Sequence, residues 1–385
     1  MRPPEGSRYL QDIVSIPPYP TPEDVAPASS ESEATSVPPV PAPAESLAFC
    51  RAILPRVSRT FALSIRLLPG SLNHAVLSAY LLCRIADTIE DDHSATVQRK
   101  GELLELLLRS LDDPATAPAL ESAAGELVAG EAAHVELVRG TSRVLDVYRS
   151  LPERSRLRVR HWVREMVHGM EKFVRLYPAG IRIRTLDEYK EYCYYVAGTV
   201  GHLLTDLWHE HSASIGVAEY RALWRQCRAF GEALQTVNII KDIAWDATHE
   251  NAIYVPEQSL RDHGSSHQLL LDPAHTTQNH AAVSELIELA WRDLDAALDY
   301  FTEIPRRALS VRAFCLLPLL FAYATLRELT RSDAMLRAGG SVKITRREVR
   351  ALMAAGLLLV PSNAAVRWLV GLVRRRPFLA PAAHA

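Results

Sequence analysis

The chain has 385 residues, of which 48% are hydrophobic, 23% charged and 7% aromatic. That is the composition of a soluble globular protein long enough to bury most of its apolar surface, which excludes fibrous and mini-protein classes. With 43 Lys and Arg against 45 Asp and Glu the net charge is −2, unlike the strongly basic balance of a nucleic-acid binder, so no nucleic-acid partner is expected.

Eleven of the 24 prolines fall between Pro3 and Pro43, beside the Ser/Glu-rich run ASSESEATS. Residues 1–45 therefore read as a disordered tail that cannot offset its own ordering entropy. The opening MRPPEGSRYLQDIV lacks the apolar core of a signal peptide, and secretion is not expected. From residue 46 to 378 apolar residues recur three and four apart with no alternating strand pattern, which predicts an all-α domain, and 379–385 read as a short tail. Helices are predicted over about 45–54, 56–66, 71–93, 97–110, 120–150, 152–175, 186–212, 217–247, 256–262, 280–303, 305–331, 346–357 and 362–375. Five cysteines, Cys50, Cys83, Cys193, Cys227 and Cys315, form no CxxC pair, which points to a reducing, cytoplasmic compartment.

In the predicted 71–93 helix, LSAYLLCRIADTIEDD crowds Asp87, Glu90, Asp91 and Asp92 into the last turns of an apolar surface. Asp87 and Asp91 are four apart, so their carboxylates share a face at roughly 5–6 Å and repel one another unless a cation neutralises them. The same spacing returns 155 residues downstream in LQTVNIIKDIAWD, where Asp242 and Asp246 end an apolar helix and Gln235 and Asn238 lie one and two turns earlier. Magnesium takes hard oxygen ligands and is typically held by one or two carboxylates plus substrate phosphates. Two such helices facing each other would clamp a diphosphate. Ser58, Arg59, Arg84 and Lys241 supply hydroxyl and cationic groups for a departing diphosphate; Arg84 and Lys241 are equally suited to pairing with their neighbouring aspartates.

The helix YCYYVAGTVGHLLTDLW carries Tyr192, able to present a phenol or a ring face, and two glycines, Gly198 and Gly201. Interior glycine costs about 1 kcal/mol relative to alanine, so the pair signals close approach of another helix or of a ligand. Residues 351–373 are the most membrane-like stretch, but Pro361, Ser362, Asn363 and Arg367 interrupt it, and two short core helices are expected instead of one span. Trp368, Leu369, Leu372 and Val373 beside Arg374–Arg376 leave a peripheral membrane contact open.

SRTFALSIRLLPGSLNHAVLSAYLLCRIADTIEDD, YCYYVAGTVGHLL and LQTVNIIKDIAWD resemble, in order and spacing, three blocks of the squalene and phytoene synthase family, over residues 46 to 375. Within it, DTIED together with FCLLPLLFAYATL and SVKITRREV is more similar to the reductive squalene synthases. The resemblance implies an isoprenoid synthase-type helical bundle around a central cavity and a farnesyl-diphosphate farnesyltransferase. Such an enzyme takes two farnesyl diphosphates through presqualene diphosphate to squalene, with Mg2+ and NADPH. It implies that Asp87, Asp91, Asp242 and Asp246, with Asn238, hold metal. Ser58, Arg59, Arg84, Gln235, Asn238 and Lys241 would contact the diphosphate end of the substrate. Tyr192 would handle a proton, Phe61, Tyr300 and Phe314 would surround the chains, and Lys343 would serve the reductive half.

The sequence departs from the family pattern at Lys241, where arginine is usual, at Trp245, where an acid is usual, at Asn251 and Ala252, where arginine is expected, and at Thr345 in the VKI segment. Two other readings therefore stay open. One is a non-reductive member releasing presqualene diphosphate, dehydrosqualene or a phytoene-type product, and the other is a member without catalysis serving as an assembly scaffold. Oligomeric state is not legible in one sequence.

Overall fold

The computed structural model describes residues 41–124 and 131–378. The tails expected at 1–40 and 379–385 lie outside these residues, and the first helix opens at Ala44, inside the expected tail. The described chain is helical with no strand, as the apolar periodicity predicts; its one extended pairing is a parallel bridge between Arg182 and Ile253.

α1 (Ala44–Val57) keeps Pro55 in its last turn and leads into α2 (Arg59–Ile65), which Ser58 caps by accepting the Phe61 N–H at 3.3 Å. α3 (Gly70–Glu90) and α4 (Val97–Asp112) match expectation. The single helix expected over 120–150 is instead broken among α5 (Ala117–Ala123), α6 (Ala132–Val138) and α7 (Thr141–Arg149). Gly140 opens α7 where a Cβ would stand 2.4 Å from the Phe49 ring, so the chain turns there around that ring. α8 (Glu153–Leu176) runs beneath α3.

Two helices near the middle of the chain contain wide, five-residue hydrogen-bonded turns. α9 (Leu186–Cys193) continues through such a turn at Tyr194–Gly198 into α10 (Thr199–His211). α11 (Val217–Trp224) stops at a tight turn, with Gln226 N–H on Leu223 O at 3.0 Å, before α12 (Cys227–Trp245), which ends in a second wide turn at Asp246–Glu250. The expected 217–247 helix is thus two helices. Single wide turns inside helices frequently mark functional sites, and both of these flank the site described below.

After α13 (Glu257–Asp262) come α14 (Thr276–Glu303), which starts four residues earlier than expected, and α15 (Leu309–Leu329), delayed past Pro305. α15 is long and apolar enough to cross a membrane by length and composition, but 83% of its most apolar stretch is buried, so it serves as a core helix. α16 (Arg346–Leu359) and α17 (Asn363–Arg375) are the two short helices expected of the 351–373 region. Thr345 caps α16 by accepting the Glu348 N–H at 3.1 Å, which gives that departure from the family pattern a local role.

Candidate active site

Both acidic motifs open into one cleft. α3 contributes Arg84, Asp87 and Glu90, with Asp91 at its C-terminal cap; α12 contributes Gln235, Asn238, Lys241 and Asp242; the wide turn after it contributes Asp246 and Glu250. Tyr192 and Tyr254 line the same space. The wide turn at Asp246–Glu250 matters because it brings Glu250, eight residues beyond Asp242, into the cleft. The sequence reading missed Glu250 although it continues the four-residue spacing.

So many carboxylates in one partly buried space raise each other's proton affinity. Burial, then the neighbouring Asp91 and Asp87 charges, push Glu90 well above the usual carboxylate range; Asp91 is pushed the same way by burial, Glu250 and Asp87. Asp246 is pushed up to about 9 by burial and by Glu250, Asp242 and Asp91. Asp91 acts on Asp246 and Glu250 acts on Asp91, so charge on each motif is felt across the cleft.

Cationic and hydroxyl groups answer this charge. Arg84 Nη1 lies 3.4 Å from Asp87 Oδ2, and its Nη2 donates to Tyr80 OH at 3.2 Å. Lys241 Nζ lies 3.0 Å from Asp242 Oδ2 and donates to Asn238 Oδ1 at 3.3 Å. Lys100 donates to the Glu90 carbonyl oxygen from behind the end of α3. Tyr192 OH donates to Tyr254 OH at 3.2 Å, their rings stacked at 4.9 Å, and Phe173 packs edge-on against Tyr192 at 5.1 Å. Burial and the Glu90 charge hold the Tyr192 phenol far above its ordinary value, so it is a proton donor throughout the neutral range.

A divalent cation fits this donor set. The oxygens are hard, they come from two helices, and Glu90 Oε1 is buried without a hydrogen-bond partner. Among the described residues no three carboxylate, imidazole or thiol groups close a cage by themselves; a cation here would share its coordination with phosphate oxygens and water. Lys343 is exposed on the segment before α16 and lines neither cleft.

Below the acidic mouth, and sharing Arg84, Asp87, Gln235 and Asn238 with it, lies an apolar cavity. Phe61 and Phe314 line it, 6.4 Å apart, with Phe61 also 5.3 Å from Tyr80. Tyr300 does not: it is fully buried behind the cavity-lining Phe230, sharing a 2.8 Å hydrogen bond with Thr205. Ser58 serves as the α2 cap and Arg59 is exposed; neither lines a cleft. The family resemblance matches positions, and these three residues show that a matched position does not assign which layer its side chain meets.

The departures from the family pattern have local explanations. Trp245 is 53% exposed, stacks on His249 at 3.8 Å and hydrogen-bonds the cleft residue Glu250. Asn251 has φ 51°, a left-handed conformation that asparagine tolerates better than arginine; it accepts Arg182 N–H groups on both its carbonyl (2.6 Å) and side-chain (2.5 Å) oxygens. Arg182 thus ties the chain leaving the second motif, and with the adjoining bridge it sets Tyr254 beneath Tyr192.

A helical bundle holding an apolar cavity beneath two facing carboxylate-bearing helices defines a helical synthase class in which charge is handled at the mouth and hydrocarbon inside. Residues 54–348 match the squalene/phytoene synthase family, and the chain belongs to it. The expectation of an enzyme of the squalene synthase kind is borne out at that level. Squalene synthase 1 of Arabidopsis thaliana is 26% identical over 300 residues, 77% of this chain and 68% of that protein. The fold is shared with a squalene synthase solved as the complex of TcSQS with ligand BPH1237 (TM-score 0.68, 24% identity, 86% of this chain and 98% of that one). It is also shared with a dehydrosqualene synthase solved in complex with ligand (TM-score 0.55, 20% identity, 83% and 97%).

Proposed function

We propose that the protein joins two molecules of farnesyl diphosphate head to head through presqualene diphosphate, in isoprenoid biosynthesis, and completes the reaction to squalene with NADPH. The observation that carries this reading is the convergence of Asp87, Asp91, Asp242 and Asp246 on one mouth above an aromatic-lined cavity. Asp87, Asp91, Asp242 and Asp246, with Asn238, would hold magnesium, which when bound supplies positive charge to diphosphate oxygens.

The chain's own residues do the rest. Arg84 and Lys241 offer fixed positive charge where the diphosphate leaves. Tyr192, held protonated, offers a proton to a departing oxygen. Phe61, Phe314 and the apolar wall keep water from the allylic cation that ionisation leaves behind. All five cysteines are free and four are buried, which suits a reducing cytoplasm.

A second reading, a non-reductive synthase, is favoured by the exposure of Lys343 away from the cavity. Incubation with farnesyl diphosphate and magnesium, with and without NADPH, followed by mass spectrometry of phosphorylated and hydrocarbon products, separates the two. Squalene formed only with NADPH supports the first; presqualene diphosphate or a dehydro product in both conditions supports the second. No consumption of substrate overturns both.

A further inference from the structure

α16 and α17 form a hairpin laid along the outer side of α15, and two buried arginines of α15 lock it there. Arg312 donates to Val360 O (2.9 Å) and Asn363 Oδ1 (2.6 Å) at the turn of the hairpin. Arg327 forks onto Glu348 at 3.0 and 3.1 Å and reaches the carbonyls of Val373 and Arg376 at its open end. Gly356 lets α16 settle on Leu320, whose Cδ1 would lie 2.9 Å from a Cβ. Leu369 and Val373, expected from the sequence on an outward apolar face, are instead buried in this contact.

What the hairpin leaves outside is unusual. Leu358 is 79% exposed, Trp368 64% and Leu357 41%, and around Gly371 the space beyond the backbone is open. On α16 the outward stripe runs Arg347, Arg350, Ala354, Leu358, and on α17 Trp368 and Arg375, two turns apart, are exposed as well. Residues 341–378 carry eight basic side chains and one acid, Glu348, which is buried under Arg327, although the whole chain has a net charge of −2. Of the arginines, Arg367 and Arg374 are paired with Asp299 and Asp295; Arg346, Arg347, Arg350, Arg375 and Arg376 are exposed with no ion pair among the described residues.

A rigid, apolar crest of leucine and tryptophan within a field of unpaired arginines is complementary to one kind of surface: an anionic bilayer. Leucine and tryptophan enter the headgroup boundary while arginines reach lipid phosphates. We propose that the α16–α17 hairpin docks the protein in plane on anionic membrane, a role separate from the chemistry of the cleft. Neither an apolar tip nor a basic patch anchors strongly alone, and this hairpin combines both.

Flotation of the full chain with vesicles of phosphatidylcholine alone, or with phosphatidylglycerol mixed in, tests this. Binding is expected only to the anionic vesicles and is expected to weaken as salt is raised. Leu358→Asp with Trp368→Ser, and separately Arg350→Glu with Arg375→Glu, are each expected to weaken binding about tenfold or more. All four side chains are exposed, so helical circular dichroism and turnover of soluble substrate should remain unchanged. Absence of binding to anionic vesicles, or binding that survives both pairs of substitutions, overturns the proposal. So does concentration-dependent dimerisation in sedimentation that Leu358→Asp abolishes, which would assign the crest to a second copy of the chain.

Discussion

Gly201 on α10 and Cys227 on α12 approach so closely that a Cβ on the glycine would stand 2.0 Å from the cysteine carbonyl oxygen. Gly231 on α12 returns the contact, its Cβ position 2.0 Å from Ala197 O. Both glycines line the apolar cavity, so the same close crossing shapes the cavity wall. Gly201→Ala gains about 1 kcal/mol of helix propensity but must push two backbones apart. The net effect expected is a loss of about 1–3 kcal/mol, read as a lower thermal midpoint. A midpoint equal to or above that of the unaltered protein would contradict the crossing.

Tyr192 offers a cleaner separation of packing from chemistry. Tyr192→Phe keeps the stack on Tyr254 and the edge contact with Phe173 while removing the phenol, so stability should change by only about 1 kcal/mol. Consumption of farnesyl diphosphate should fall by about 100-fold if the phenol supplies a proton. Rapid-quench measurement of the first turnover checks this; an unchanged rate would remove Tyr192 from the chemistry.

The carboxylate cluster sets a pH dependence whose sign follows from its direction. Asp246 titrates at about 9 in the folded chain, against about 3.9 unfolded. Between these values the folded state holds a proton that the unfolded chain has lost, so this group's contribution to stability falls as pH rises. Asp87, Glu90, Asp91 and Glu250 are shifted in the same direction. His202, held down to about 4 by burial, acts oppositely below about pH 6.5, so the comparison belongs between about pH 7 and 9. With chelator present the thermal midpoint should fall across that interval, and Asp246→Asn should flatten the slope. Added magnesium should raise the midpoint most at the alkaline end. A midpoint that rises with pH in the presence of chelator would contradict the cluster's electrostatics.

Much of the site was legible because its spacing is local. Asp87 with Asp91 and Asp242 with Asp246 are each one helical turn apart, and an apolar helix ending in such a pair is conspicuous. Glu250 and Tyr254 were not found because a wide turn and a left-handed Asn251 carry them into the cleft, and neither has a strong sequence signal. Tyr300 was expected around the chains from the family resemblance, and a matched aromatic position reads the same whether it meets substrate or a second layer such as Phe230. The break at Arg225 and Gln226 carries no glycine or proline, so periodicity ran through it.

The central claim is that the two acidic helices act as one clamp on a diphosphate. Its most direct test is farnesyl diphosphate consumption in magnesium by Asp87→Asn and by Asp242→Asn, each checked by far-ultraviolet circular dichroism. Loss of turnover in both variants with an unchanged helical spectrum is the expected result. Turnover retained by either variant would show that its helix is not part of the clamp.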